Sequence, residues 1–340
     1  MKKIIDLRSD TVTKPTPAMR KAMAEAEVGD DVYSEDPTVN RLEALAAEML
    51  NTEASLFVSS GTQGNLLAVM SHCERGDEYI VGQMAHTYRW EGGGAAVLGS
   101  IQPQPLDFEP DGTLNLQKIE QAIKPDNYHF ARTRLVCQEN THNGKVLPMD
   151  YLEQAAALTK RFNLGHHLDG ARVFNAAVKL NIPASDIARC FDTIMFCLSK
   201  GLGAPVGSML CGSRDLIAKA RRWRKVLGGG MRQAGILAAA GIFALNEHIA
   251  RLADDHANAQ LLAQGLADIE EISYDQAFVQ TNMVFASVTK GSSEELATYL
   301  KQKGILILPR NPIRLVTHLD VTAEDIKIFV NEVKTFFSHK

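Results

Sequence analysis

The sequence predicts an α/β protein. A large domain with a mostly parallel mixed sheet, covered by helices on both faces, precedes a small C-terminal α/β domain. Three observations predict this. Short apolar runs alternate with helix-period segments throughout residues 54–212, the signature of strand–helix–strand units. From residue 282 onward the order becomes strand, helix, strand, strand, helix, which suits a separate small unit. Finally, Gly61, His86, Glu139, Asp169 and Lys200 each fall just after a predicted strand, and ligands of such sheets sit at the carboxyl ends of the strands. The 340 residues can bury two cores. The expected division is an N-terminal arm (1–17), a large domain (18–250) and a small domain (251–340), with a soft boundary because no Pro/Ser-rich linker marks it.

In order, the polar residues 6–13 read as an extended arm that meets a helix at 18–27, with Thr16 as its cap and Pro17 in its first turn. A second helix covers 37–50. A strand at 54–59 runs through Ser60-Gly-Thr-Gln-Gly-Asn65 into a helix at 66–73. Further strands are expected at 78–82, 95–98, 134–138, 165–169, 194–198 and 206–211. The segment 101–106 carries prolines and is an edge or a loop. Helices are expected at 114–123, 149–162, 171–180 and 213–227, and one long helical region at 231–268. The small domain follows, with strands at 282–288, 305–308 and 313–317 and helices at 293–303 and 322–337.

Net charge is −4, so no electrostatic case for nucleic acid arises. No window is long and apolar enough for a membrane span, and the first ten residues lack the apolar core of a signal peptide. Five cysteines without CxxC spacing are expected to be reduced core residues, and the expected compartment is the cytoplasm. Lys219 to Lys225 puts five basic residues around Trp223, either a solvated helix face or an anion site.

The chemistry centres on Ser199-Lys200, at the end of a buried strand. Burial disfavours the ammonium form of a lysine there and frees the amine for a Schiff base with a carbonyl or with pyridoxal 5'-phosphate (PLP). Taken alone, the stretch fits a lysine that snorkels into water equally well. PLP chemistry also needs a phosphate cradle, an acid beside the pyridine nitrogen, a ring to stack on the cofactor and a cation for the substrate carboxylate. Gly61 and Thr62 at a strand–helix turn, Asp169, His86, and Arg314 (or Arg172) are available for these roles. The glycines after Lys200 read as room for the cofactor. Pro205 and the strand after it speak against a dinucleotide turn at Gly201-Leu-Gly203. His166 and His167 point to opposite faces of a strand, so no metal site is expected from them. A Gly-x-Ser-x-Gly nucleophile elbow is absent.

Seven segments together resemble one family. They are Asp6-Leu-Arg-Ser-Asp-Thr11, Ser60-Gly-Thr-Gln-Gly-Asn65, Glu139-Asn-Thr-His142, Leu168-Asp-Gly-Ala-Arg172, Ser199-Lys-Gly-Leu-Gly203, Gly228-Gly-Gly-Met-Arg-Gln233 and Arg314-Leu-Val-Thr-His318. In this order they are similar to the low-specificity L-threonine aldolases, PLP enzymes of the aspartate-aminotransferase fold (fold type I) grouped with the β-eliminating lyases. The resemblance implies retro-aldol cleavage of L-threonine and L-allo-threonine to glycine and acetaldehyde. It implies that Lys200 forms the Schiff base, Asp169 pairs with the pyridine nitrogen, and Gly61 and Thr62 hold the phosphate. Arg172 would sit near the phenolate oxygen or the substrate carboxylate, and Ser9 and Arg314 would grip that carboxylate. His86 would stack on the ring, and His86 and His129 would lie near the substrate β-hydroxyl. It further implies a homotetramer of catalytic dimers, with Tyr33, Lys225 and Arg232 reaching the neighbour's cofactor, which would give part of the basic helix a role. No metal is expected at the site. The nearest alternative is another fold-type-I lyase or transaminase.

Overall fold

The computed structural model describes residues 3–338. Among these residues twelve strands are formed: β1 (Ile5–Asp6), β2 (Ala54–Val58), β3 (Glu78–Gly82), β4 (Gln102–Leu106), β5 (Thr133–Glu139), β6 (Gly165–Asp169), β7 (Thr193–Cys197), β8 (Ser208–Gly212), β9 (Ile272–Ser273), β10 (Met283–Val288), β11 (Ile305–Leu306) and β12 (Ile313–Val316). The helices of the first part are α1 (Pro17–Ala24), α2 (Pro37–Leu50), α3 (Gly61–His72), α4 (His86–Arg89), α5 (Gly94–Val97), α6 (Leu116–Ala122) and α7 (Met149–Arg161). Those of the second are α8 (Val173–Leu180), α9 (Ala184–Ala188), α10 (Arg214–Val226), α11 (Gly235–Glu247), α12 (Leu252–Leu266), α13 (Ser293–Gln302) and α14 (Ala323–Ser338).

The main sheet runs β2-β8-β7-β6-β5-β3-β4, parallel except for β8, which is antiparallel to both neighbours. Successive strand residues serve opposite faces. Leu56, Val58 and Leu210 pack under α3 and α10, with Leu67 and Ile217. Phe57, Leu168, Phe196 and Met209 pack under α2, α8 and α11, with Leu42, Phe174 and Ala240. Both faces are thus covered, which is why these strands read as continuous apolar runs. The proline-bearing β4 is the edge strand beyond β3. The five cysteines are buried and free.

A second core gathers Leu262, Leu266, Val284, Leu296, Leu300 and Phe329 from α12, α13, α14 and the sheet β12-β10-β9. The arm joins it. Ile5 and Leu7 pack in this core, and β1 lies parallel to β11.

Two expectations are corrected. Residues 95–98 form the short helix α5 and not a strand. Gly92 and Gly93 supply the left-handed entry (φ 63° and 68°), and Val97 and Leu98 are exposed, so no sheet draws them in. The helical region 231–268 is not continuous, because α11 and α12 are bent by 70°. His248 sits at the break, its Nδ1 2.7 Å from the carbonyl oxygen of Leu202. The bend carries α12 from the first core, at Leu252, to the second, at Leu262. No single helix among the described residues is long and apolar enough to cross a membrane.

Candidate active site

The sheet register assembles the site. Glu139 and Asp169 are paired neighbours at the ends of β5 and β6, and Asp169 pairs with Met195 on β7, five residues before Lys200. The order of the parallel strands reverses at β3, with β4 added on one side and β5 on the other, and His86 follows β3, so the site occupies the switch point of the sheet.

Asp169 is buried. Its Oδ2 accepts from Asn65 Nδ2 at 2.8 Å and its Oδ1 from the backbone N–H of Ala171 at 3.1 Å. Burial raises its pKa, and the neighbouring Glu139 raises it further, while Lys200 and His86 oppose the rise. Glu139 itself is lowered. Burial works against this, but the hydrogen bond with His142 (2.9 Å) and the backbone N–H of His86 (2.7 Å) prevail. His86 Nδ1 is 2.9 Å from Glu91 Oε1, and that hydrogen bond raises the imidazole pKa. Burial also raises the Glu91 carboxyl. The imidazole is the more solvated partner, and Glu91 Oε1 also accepts from Asn65 at 2.8 Å, so we place the shared proton on His86 Nδ1. The ring atoms of His86 and the carboxylates of Glu91 and Asp169 lie within 4.8 Å of one another. Their proximity is accounted for by these hydrogen bonds.

Helix α3 starts at Gly61, capped by Ser60, whose Oγ accepts from the N–H of Gln63. Gly64 N–H bonds Ser60 O. The N–H groups of Gly61 and Thr62 open the helix with no partner among the described residues. The glycines let this end press on β7: a Cβ at Gly61 would meet Cys197 Sγ at 2.9 Å, and one at Gly64 would meet Met195 Cγ at 2.6 Å.

A cavity of about 410 Å³ opens beside these groups, lined by His86, Glu139, Thr141, Arg172 and Arg314, with Trp90 and Phe285 among its apolar walls. Arg172 Nε and Nη2 clasp Asp10 at 2.7 and 2.5 Å. Asp10 is fully buried; burial would raise it, but Arg172 holds it well below the usual carboxylate range. Arg314 Nη2 donates to the carbonyl of Arg8, while its Nε and the Thr141 hydroxyl are buried without a partner among the described residues. Burial, reinforced by Arg172, lowers the Arg314 pKa. Ser9 lies between Arg8 and Asp10 and caps a short turn, accepting from the N–H of Thr11.

The structure therefore brings Lys200, Asp169, His86, Gly61, Thr62, Arg172, Arg314 and Ser9 to one edge of the sheet. Lys200 is half-buried. Four residues stand apart within a single chain. His129 is exposed on the loop between α6 and β5, and it does not line the cavity, contrary to its expected place near the substrate hydroxyl. Tyr33 (71% exposed), Lys225 and Arg232 also lie outside it, and Arg232 pairs with Asp30 at 2.9 Å.

Two further readings are corrected. The glycines after Lys200 are not room for a ligand. Gly203 and Gly207 have φ of +78° and +103°, and a Cβ there would meet Leu319 and Phe57 at 2.6 and 2.5 Å. They let the turn close on the protein itself. In the basic helix, Arg224 is buried on Phe57 O and Asp31, and Arg221 is paired with Glu43, so these two charges serve the fold. Sequence reasoning missed Asp10, Asn65 and Glu91. The first two lie inside segments singled out for other members, and Glu91 sits at i+5 from His86, outside any familiar spacing.

A sequence model of the family described as beta-eliminating lyase matches residues 6–289. The chain is 55% identical over 323 residues to the low specificity L-threonine aldolase of Escherichia coli K12, covering 95% of this chain and 96% of that protein. It is 46% identical over 333 residues to the low-specificity L-threonine aldolase 1 of Arabidopsis thaliana, covering 95% and 93%. Among solved structures, a threonine aldolase of Leishmania major superposes with a TM-score of 0.83 at 23% identity, covering 98% of this chain and 99% of that one. With two thirds of the chain and more aligned at such identities, the protein belongs to the beta-eliminating lyases and, within them, to the low-specificity L-threonine aldolases.

Proposed function

We propose that this chain is a PLP-dependent aldehyde-lyase that cleaves L-threonine, L-allo-threonine and related β-hydroxy-α-amino acids, reversibly, to glycine and an aldehyde. The carrying observation is the single sheet edge where buried Asp169, Lys200 and the open turn of α3 adjoin a cavity lined by His86 and Arg314. These residues fit the cofactor. The free N–H groups of Gly61 and Thr62 suit its phosphate, Lys200 Nζ would hold it covalently, and Asp169 has no cation hydrogen-bonded to it within the described chain, so a protonated ring nitrogen would supply one. Bound there, PLP supplies an electron sink for the charge left on Cα when the Cα–Cβ bond breaks.

The chain's own residues do the rest. Arg314, with orphaned Nε, binds the substrate carboxylate together with Ser9, and so fixes which Cα bond faces cleavage. Arg172 is neutralised by Asp10 and acts as a positioned donor. His86 keeps its Nδ1 proton on Glu91 and is left to accept the β-hydroxyl proton at Nε2; the carboxylate steadies the imidazolium that results. As this proton leaves, the β-carbon becomes the aldehyde carbonyl, and a proton delivered to Cα completes glycine. His86 is the base in this reading, since His129 lies outside the cavity of its own chain. We further take the working form to be a cytoplasmic homotetramer, a dimer of dimers. The exposed Tyr33, Lys225 and Arg232 support an assembly in which these residues face a neighbour.

The test is the absorbance of the purified protein with PLP, followed by acetaldehyde release from threonine and allo-threonine. Ammonia and a keto acid in place of acetaldehyde would assign a β-elimination or transamination instead. Light scattering on the holoenzyme gives the assembly, and a monomer would remove the tetramer from the reading.

A further inference from the structure

Behind Asp169 a chain of buried polar groups crosses the protein. Asn65 Nδ2 lies 2.8 Å from Asp169 Oδ2 and 2.8 Å from Glu91 Oε1. Asn65 Oδ1 lies 3.1 Å from His167 Nε2, His167 Nδ1 lies 2.9 Å from Thr193 Oγ1, and Thr193 Oγ1 lies 2.9 Å from His72 Nε2. Asn65, His167 and Thr193 are at most 1% exposed.

With both rings neutral, one arrangement of protons satisfies this chain. An amide nitrogen carries two hydrogens, and two carboxylates face it; turned over, the amide would set its oxygen against both. With the oxygen toward His167, Nε2 must carry the imidazole proton. Nδ1 then accepts the Thr193 hydroxyl proton, and the hydroxyl oxygen accepts from His72 Nε2–H. Burial lowers His167 to about 3 and His72 to about 4, which keeps both rings neutral. Every hydrogen bond runs toward the two carboxylates.

We infer that Asn65 and His167 are positioning residues: His167, fixed by Thr193 in its neutral Nε2–H form, locks the Asn65 amide so that one donor stays on Asp169 and the other on Glu91. The acid of the ring-nitrogen site and the carboxylate that steadies His86 are thereby set by one side chain. The assignment rests on the PLP reading only in what Asp169 meets; the proton arrangement belongs to the chain itself. The pair His166–His167 divides accordingly. His166 takes Cys190 O and Gln138 Oε1, a packing role, while His167 faces the site.

The test has two arms. In apoenzyme labelled with ¹⁵N-histidine, long-range ¹H–¹⁵N correlation should show His167 neutral and protonated on Nε2 at every pH at which the protein stays folded. A cation, or a proton on Nδ1, overturns the proposal. In the second arm PLP is titrated into apoenzyme by fluorescence. His167→Phe removes a donor that acts through a hydrogen bond to a charged group and should raise the dissociation constant about tenfold or more. His167→Gln, which can place an amide N–H near the Nε2 position, should bring it most of the way back. Unchanged affinity in His167→Phe, or no rescue by Gln, overturns the proposal. Should the Phe variant not fold, Thr193→Val carries this arm: the proton on His167 then divides between Nδ1 and Nε2 and PLP binds more weakly, and an intact Nε2–H form with unchanged affinity rejects the lock. If the unsubstituted protein does not take up PLP, the cofactor reading fails and the labelled spectrum still decides the proton arrangement.

Discussion

Two buried aspartates flank the site, and they are held in opposite ways. Asp10, on the arm side, is clasped by Arg172 and kept ionised. Asp169, on the sheet side, is held by the neutral donors of Asn65 and Ala171 alone, and burial raises it. The first is a closed pair that stabilises the fold. The second is a carboxylate whose charge is not compensated by a bonded cation, a condition tolerated where a cationic ligand group is to be bound. The same division marks the remaining polar atoms. The network from Asn65 through His167 to Thr193 is hydrogen-bonded throughout, whereas Arg314 Nε and the Thr141 hydroxyl, on two residues that line the cavity, are buried without a partner among the described residues.

The comparison can be broken or sharpened by substitution. The largest effect belongs to Lys200, between the two aspartates. Lys200→Ala should lower threonine cleavage by at least about 10³-fold and abolish covalent retention of PLP, seen by reduction with borohydride and mass spectrometry. Next comes Asp10→Asn. Leaving Arg172 as a buried cation without its partner should cost about 3–5 kcal/mol, measured by denaturant unfolding of the apoenzyme. The pH dependence has a defined sign. Asp10 is lowered in the folded state, so its contribution is present above the unfolded carboxylate pKa and is lost as pH falls through and below that value; the Asn variant should lack this acid-side loss. Asp169→Asn should behave differently, with apoenzyme stability changed by no more than about 1 kcal/mol and PLP affinity reduced about ten- to a hundredfold. A large loss of apo stability there would erase the contrast between the two aspartates. Arg314→Gln should raise KM for threonine about tenfold or more while leaving PLP affinity intact, if its role is the proposed grip on the substrate carboxylate. The smallest effect is Glu91→Gln, which should lower the His86 pKa, followed by ¹⁵N shifts in the apoenzyme.

Most of the architecture was legible because strands buried on both faces announce themselves as apolar runs, and Gly61, Asp169 and Lys200 stand at their ends. Residues 95–98 were misread because an apolar run does not reveal whether a sheet is there to receive it; Val97 and Leu98 are exposed. The break between α11 and α12 was hidden because residues 248–251 hold no glycine or proline, and the contact of His248 with Leu202 at the bend is tertiary. The glycines after Lys200 carried a true signal with the wrong cause, since left-handed backbone and a ligand gap leave the same mark in a sequence. Asp10 and Asn65 were within reach as letters, but their roles depend on partners 162 and 104 residues away. His129 could be placed at the site only by resemblance, and within one chain its loop stays outside.

The arm has a mechanical consequence. Ile5 and Leu7 are anchored in the second core, and three residues later Asp10 is fastened to Arg172 beside the main sheet. The segment is a short strap between two bodies. Asn282, next to β10, also donates to Asp10 at 3.3 Å, so the two cores meet at this carboxylate as well as along the span from Leu7, about 10 Å at full extension. One buried carboxylate thus ties the arm, the main sheet and the second core at a single point.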